Sequence, residues 1–151
     1  MIRLLDQKEE LPWHLLLDAD PQRDIVEGYI HQSEVRVLEL DKKVVGCIVF
    51  QIRPNEAELM NVAVDSDYQR QGLGAKLIQY ALKIIGEKKP FTPFPVLVKT
   101  GNSTLPALAL YKSQGFKERQ RIKNYFLTHY SKPIYEEGIL LTDQIILSQT
   151  I

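Results

Sequence analysis

The chain has 151 residues, 44% of them hydrophobic, which suits a single domain with a substantial core. Lys plus Arg and Asp plus Glu both number 19, so no global field draws the chain to nucleic acid or to an anionic membrane. The longest apolar run, Val44 to Phe50, is far too short to span a bilayer.

The start, Met1 to Asp6, has neither the apolar core nor the small-residue cleavage site of a signal peptide, so a cytoplasmic protein is expected. Ile2 to Leu5 reads as a short strand. Leu11 to about His31 reads as helical, broken near Asp20-Pro21 because proline opens helices but rarely sits inside them. Val35 to Leu40 alternates as a strand, and Asp41-Lys42-Lys43 turns into a second strand over Val44 to Arg53. Cys47 lies in that strand and has no partner for an internal disulfide; it reads as a buried small hydrophobe. Pro54-Asn55 turns again into a strand from Glu56 to Val64. A long helix follows to about Gly86, with Leu73, Leu77, Tyr80, Ala81 and Ile84 on one face. Pro90 to Pro95 is a proline-marked connection, and Val96 to Thr100 a compact strand. Gly101 to Pro106 leads into a helix that ends before Gly115. Ile122 to Tyr130 and Gln144 to Ser148 read as a final strand pair joined by a long segment. This order predicts an α+β fold in one domain, residues 1–151, with a mixed, mostly antiparallel sheet flanked by helices.

Between the Glu56 to Val64 strand and the long helix lies Gln69-Arg70-Gln71-Gly72-Leu73-Gly74. A strand that runs through a basic, glycine-bearing turn into a helix start is an anion site. Its first N–H groups have no intrahelical partner, and the peptide dipoles favour negative charge. Gly72 and Gly74 lack a β-carbon, so phosphate can approach the main chain, and Arg70 adds a full positive charge. No Gly-x-x-x-x-Gly-Lys-Ser/Thr run exists, and Leu77 stands where a dinucleotide fingerprint needs its third glycine. Three histidines and one cysteine are scattered without zinc-ligand spacing, so no metal is expected.

The run from Gln69 to Gly74 resembles the Gln/Arg-x-x-Gly-x-Gly/Ala pyrophosphate loop of the GNAT N-acetyltransferase superfamily. Ala57 to Val64 resembles the strand before that loop. Ala107, Leu110, Tyr111, Gly115 and Phe116 resemble the late-helix pattern of the same family. The resemblance implies acetyl-CoA as co-substrate, its pyrophosphate held by Gln69, Arg70, Gln71, Gly72, Leu73, Gly74 and Ala75. It also implies an oxyanion contact from a backbone N–H at about Val62 and Ala63, with Val64 beside the pantetheine arm. Asn102 is the counterpart of a cofactor-contacting asparagine, although it precedes Tyr111 by nine residues instead of seven.

Acetyl transfer to an amine requires loss of a proton from the amine, stabilisation of an oxyanion, and protonation of the departing thiolate. By its place in the family pattern Tyr111 is the candidate general acid; a phenol titrating near 10 suits that task, and its alternative role is core packing beside Leu108. Glu58 is the candidate base, working through water. On a regular strand Glu58, Met60, Val62 and Val64 share one face, which puts the carboxylate beside the oxyanion contact; the alternative is a solvated edge residue. Trp13, Tyr29 and Tyr125 are candidate acceptor contacts, because the resemblance implies that the N-terminal helices and the last strands wall the acceptor cleft. The expected activity is acetyl transfer from acetyl-CoA to a primary amine of a small molecule by direct attack, in a monomer or homodimer that engages no nucleic acid or membrane. Two alternatives stand beside it: acetylation of a protein N-terminus or lysine, and an acyl-CoA-binding sensor without turnover.

Overall fold

The computed structural model describes residues 1–102 and 105–151. Residues 103–104, inside the connection expected over Gly101 to Pro106, lie outside the described residues. Ile2–Leu4 (β1) edges the antiparallel pair Glu34–Leu40 (β2) and Lys43–Ile52 (β3). Asp41 and Lys42 both take positive φ in the two-residue turn between β2 and β3 (φ 50° and 64°), the geometry that matches the twist of paired strands. Ala57–Val64 (β4) is antiparallel to β3. The helix Leu73–Lys88 (α3) then crosses over so that Pro95–Gly101 (β5) runs parallel to β4. Gln144–Thr150 (β9) pairs antiparallel with β5, and Lys117–Ile122 (β6) closes the far edge of the seven-stranded sheet.

The two faces of the sheet are covered by different helices. Trp13–Ala19 (α1) and Arg23–Ile30 (α2), separated at Asp20-Pro21, bury Leu15, Leu16, Val26 and Ile30 against Val37, Cys47 and Val49. Helix α3 and Leu105–Ser113 (α4) cover the opposite face. From α3, Leu77, Ile78 and Ile85 are fully buried, each contributing on the order of 1.5–3 kcal/mol. Among the described residues no helix is long and apolar enough to cross a membrane.

Two expectations are corrected. Tyr125–His129 is a short helix (α5), and β6 instead of Ile122 to Tyr130 supplies the partner of β9. Asn124 stops the strand with φ 57°, its N–H donating to Asp143 Oδ1 at 3.0 Å, while Phe126 N–H donates to Thr142 O at 3.0 Å. The connection that follows carries a small hairpin, Tyr135–Glu136 (β7) with Ile139–Leu140 (β8).

The second correction concerns β4. Val49 opposes Asn61 and Phe50 opposes Leu59, so Met60 is an extra residue and β4 is bulged. The bulge reverses the alternation. Leu59, Val62 and Val64 pack on the α3 side, whereas Ala63 and Asn61 belong to the α1–α2 side. Glu58, alternating with Ala57 and Leu59, also faces α1–α2. Glu58 therefore does not share a face with Val62 and Val64.

Candidate active site

Parallel pairing of β4 with β5 runs through Ala57–Val96, Glu58–Leu97 and Leu59–Val98 and ends there, although both strands continue. The sheet parts at the bulge. Asp65 N–H donates to Val45 O at 2.7 Å. Antiparallel pairs alternate between bonded and non-bonded, so in that register Ala63 and Asn61 also turn their main-chain groups towards β3. Val62 and Val64 turn theirs the other way, into the gap left by β5. Gln69 Nε2 accordingly reaches Val64 O at 3.0 Å and ties the following turn to the strand. Of the two amides expected to face an oxyanion, the Val62 amide points into the gap and the Ala63 amide towards β3.

A 3-10 turn, Ser66–Tyr68, links β4 to the glycine loop; Asp65 Oδ1 accepts the Asp67 N–H at 2.9 Å and holds it. Arg70 (φ 64°) and Gly72 (φ 75°) are both left-handed, and Gly72 starts α3 with no side-chain cap and no acidic residue in the first turn. The first N–H groups of α3 therefore point outward. The two glycines differ. A β-carbon on Gly72 would meet no atom of the described residues within 4 Å, whereas one on Gly74 would lie 3.1 Å from Leu110 Cδ2. Gly72 leaves the helix start open, and Gly74 lets α4 approach α3. Gln71 is exposed, Leu73 is buried in the α3 core, and Ala75 lies half-buried in the first turn.

The gap opens into a cleft of about 710 Å³ bounded by β4, the end of β5, the α1–α2 junction, α4 and the α5 region. Tyr111 enters from α4, 8% exposed and edge-on to Phe116 with ring centroids 6.1 Å apart. Burial pushes its phenol up to about 12. Glu58, 4% exposed, lines the cleft from the other face of β4. Arg53 Nη2 donates to Glu58 Oε1 at 2.9 Å, and Lys99 Nζ is 3.5 Å from the same oxygen. Glu58 is thus a buried, charge-compensated carboxylate and not a solvated edge residue.

The remaining candidates separate. Tyr29 and Tyr125 line the cleft; Tyr125 stacks on His129 at 4.1 Å. Trp13 is not among the lining residues and lies under the Arg23 guanidinium, 4.0 Å from its ring centroid. The side chain of Asn102 is engaged with the 142–143 loop: its Oδ1 accepts from Thr142 N–H (3.1 Å) and Asp143 N–H (3.3 Å). Asn102 pins that loop to the end of β5.

Around Tyr29 sequence reasoning missed two members of the same cleft, Asp20 and Asn61. Tyr130 donates its hydroxyl to Asp20 Oδ1 at 2.7 Å, and Tyr29 donates to Asp20 Oδ2 at 3.2 Å. Asn61 Nδ2 donates to the Tyr29 hydroxyl at 3.1 Å and to Leu16 O at 3.0 Å. Burial pushes the Asp20 carboxyl up, with the hydrogen bonds from Tyr130 and Tyr29 acting against it. Burial likewise pushes the Tyr29 and Tyr130 hydroxyls up. The available signal was Asn61, a polar side chain at an inward position of an otherwise apolar strand. Cys47, fully buried in the α1–α2 core, is pushed up to about 12 by burial and is far from a thiolate nucleophile. Among the described residues no group of His, Cys, Asp and Glu side chains is arranged to hold a metal.

A family model described as an acetyltransferase (GNAT) domain matches residues 31–118. The chain belongs to the GNAT acetyltransferase family. The likeness of this GNAT domain to relatives extends past the matched segment. An uncharacterised N-acetyltransferase of Bacillus subtilis is 31% identical over 97% of this chain and 93% of its own length. The crystal structure of a GNAT family acetyltransferase from Elizabethkingia anophelis, with acetyl-CoA bound, superposes with a TM-score of 0.93 at 31% identity, covering 100% of this chain and 97% of that one. The ribosomal protein bS18-alanine N-acetyltransferase of Escherichia coli is 38% identical over 57% of this chain and 56% of its own length.

Proposed function

We propose that the protein transfers the acetyl group of acetyl-CoA directly to a primary amine of a small molecule. The donor half of this reading is supported by the uncapped start of α3, the open space above Gly72 and the turning of the Val62 and Val64 main chains into the gap. The Gln69 to Ala75 main chain would hold the pyrophosphate, with Arg70 alongside, and Val62 and Val64 would run beside the pantetheine arm. Acetyl-CoA supplies the activated thioester carbonyl. The Val62 N–H stabilises negative charge developing on the carbonyl oxygen. The Tyr111 hydroxyl, protonated throughout the neutral range, donates a proton to the departing sulfur. Glu58 takes a proton from the acceptor amine through water, and Arg53 fixes its carboxylate.

The observation that carries the acceptor half is a bridge across the cleft. Tyr130 bonds Asp20, and Ser131 N–H and Oγ donate to Gln22 Oε1 at 2.9 and 3.1 Å. These contacts join the segment after α5 to the α1–α2 junction beside the cleft and narrow the room for an acceptor, which suits a compact amine better than an extended polypeptide. The likeness to the bS18-alanine enzyme favours a second reading, acetylation of a protein N-terminus. Thiol release from acetyl-CoA, compared between a panel of small amines and a peptide with a free N-terminal alanine, separates the two. Turnover confined to the peptide overturns the small-molecule reading, and acetyl-CoA binding without release to any acceptor favours a sensor.

A further inference from the structure

We propose that Asp20, with Tyr29, Tyr130 and Asn61, binds a second cationic group of the acceptor, one that keeps its charge while another nitrogen reacts, so that diamines are preferred over monoamines. This inference rests on the small-amine reading and adds where a non-reacting part of the substrate is held. The carboxylates that line the cleft differ in their partners. Around Glu58 the charges are matched, because Arg53 pairs with both Glu58 and Glu56 and Lys99 lies 3.5 Å from Glu58, so this part of the cleft offers an ammonium no unpaired carboxylate. Asp18, Asp20, Glu136 and Glu137 also line the cleft, and none of them takes part in an ion pair among the described residues. The charged neighbour that Asp20 feels is Asp24, of the same sign.

Asp20 is half-buried, and a carboxylate partly withdrawn from water is favoured by a cationic partner. Asp20 has two phenols instead, which fix both oxygens without neutralising them. A second observation points to the missing partner. Asn61 is 4% exposed, and among the described residues its buried Oδ1 accepts no hydrogen bond, although its Nδ2 is tied to the Tyr29 hydroxyl. An ammonium group supplies a positive charge for Asp20, and the Asn61 Oδ1, closed off from the cleft without ligand, would have to turn towards its N–H donors on binding. A carboxylate with no cation nearby stabilises the protonated form of any amine it holds, which suits a group that stays charged and not the nitrogen that must lose its proton.

The test is calorimetric titration of the CoA-loaded full chain with diaminoalkanes of graded length and the monoaminoalkanes of matching length. The best diamine should bind about tenfold more tightly than its monoamine or better, a margin in the range of a desolvated charge pair. Asp20→Asn should bring that ratio close to one with CoA affinity unchanged, and Tyr130→Phe should lower it by a smaller factor. Ratios near one across the wild-type series overturn the inference, as does an undiminished ratio in folded Asp20→Asn. If Asp20→Asn does not fold, the wild-type ratio and Tyr130→Phe decide. Failure of the acetyl-transfer reading would show separately, as absence of thiol release with every amine, while the binding ratio still reports on the cation site.

Discussion

Arg53 Nη2 donates to Glu58 Oε1 at 2.9 Å from a guanidinium that also bonds Gln51 and Glu56. The Glu58 side chain is 6% exposed and those of Arg53 and Lys99 36%, so the anion is buried and its two cations reach solvent. Glu58→Gln keeps the shape but leaves both cations facing an amide. Arg53 retains its other partners, so the fold should persist with a loss of about 1–3 kcal/mol. The rate should fall near neutral pH and the rising limb of the pH–rate profile should move. A kcat/KM profile that overlays the wild type from acid to alkaline pH would remove Glu58 from the proton path.

Tyr111→Phe keeps the ring against Phe116 and deletes only the hydroxyl. A general-acid role predicts a turnover loss of roughly 10²-fold with acetyl-CoA affinity nearly intact. Burial holds the phenol in its protonated form until about 12, so the wild type should show no falling limb from this group across the practical assay range. Equal turnover in the two proteins under chemistry-limited conditions would leave Tyr111 a packing residue.

The two loop glycines should fail in different ways. Gly72→Asn tolerates the left-handed backbone and points into open space, so it serves as the conformational control. Gly72→Asp adds a negative charge at the same place and should weaken acetyl-CoA binding at least tenfold relative to that control, roughly the worth of one poorly placed charge. Gly74→Ala instead pushes on Leu110 Cδ2 and should lower stability by about 1–3 kcal/mol. Adding Leu110→Ala should make the Gly74→Ala step less costly, by relieving the crowding. Strict additivity of the two substitutions in chemical denaturation would show that helix packing is not what Gly74 serves.

What was legible in the chain was local. Strand alternation, the Asp20-Pro21 break, the buried stripe of α3 and the Gln69 to Gly74 turn each follow from neighbours within a few residues. What escaped was set by partners far away in sequence. The bulge at Met60 exists because of how β3 opposes β4, and it sends Glu58 and Val62 to different faces of a strand that reads as regular. Tyr125–His129 carries aromatic residues suited to a strand, yet Asn124 in a left-handed conformation and the contacts to Thr142 and Asp143 make it helical. Asp20 meets Tyr130 across 110 residues, with no spacing rule to announce it.

Asp20 should cost the unliganded protein stability at neutral pH. Burial, with Asp24 adding a smaller push, raises its carboxyl above the ordinary 3.8, and the hydrogen bonds from Tyr130, Tyr29 and the Gln22 main chain offset only part of this. The folded state therefore holds this proton more tightly than the unfolded chain. The stability linked to it is fully present below 3.8 and is lost as pH rises through the raised folded value. Asp20→Asn keeps one acceptor oxygen, for one of the two phenols, presents an N–H donor to the other hydroxyl, and removes the half-buried charge. Its Tm should exceed that of the wild type at neutral pH, and the difference should shrink on acidification towards the ordinary carboxyl range. A saturating diamine should reverse the order, because the wild type alone gains the ion pair. If Asp20→Asn melts below the wild type at neutral pH without ligand, the carboxylate is a structural brace for Tyr29 and Tyr130, not a group held at a cost for binding.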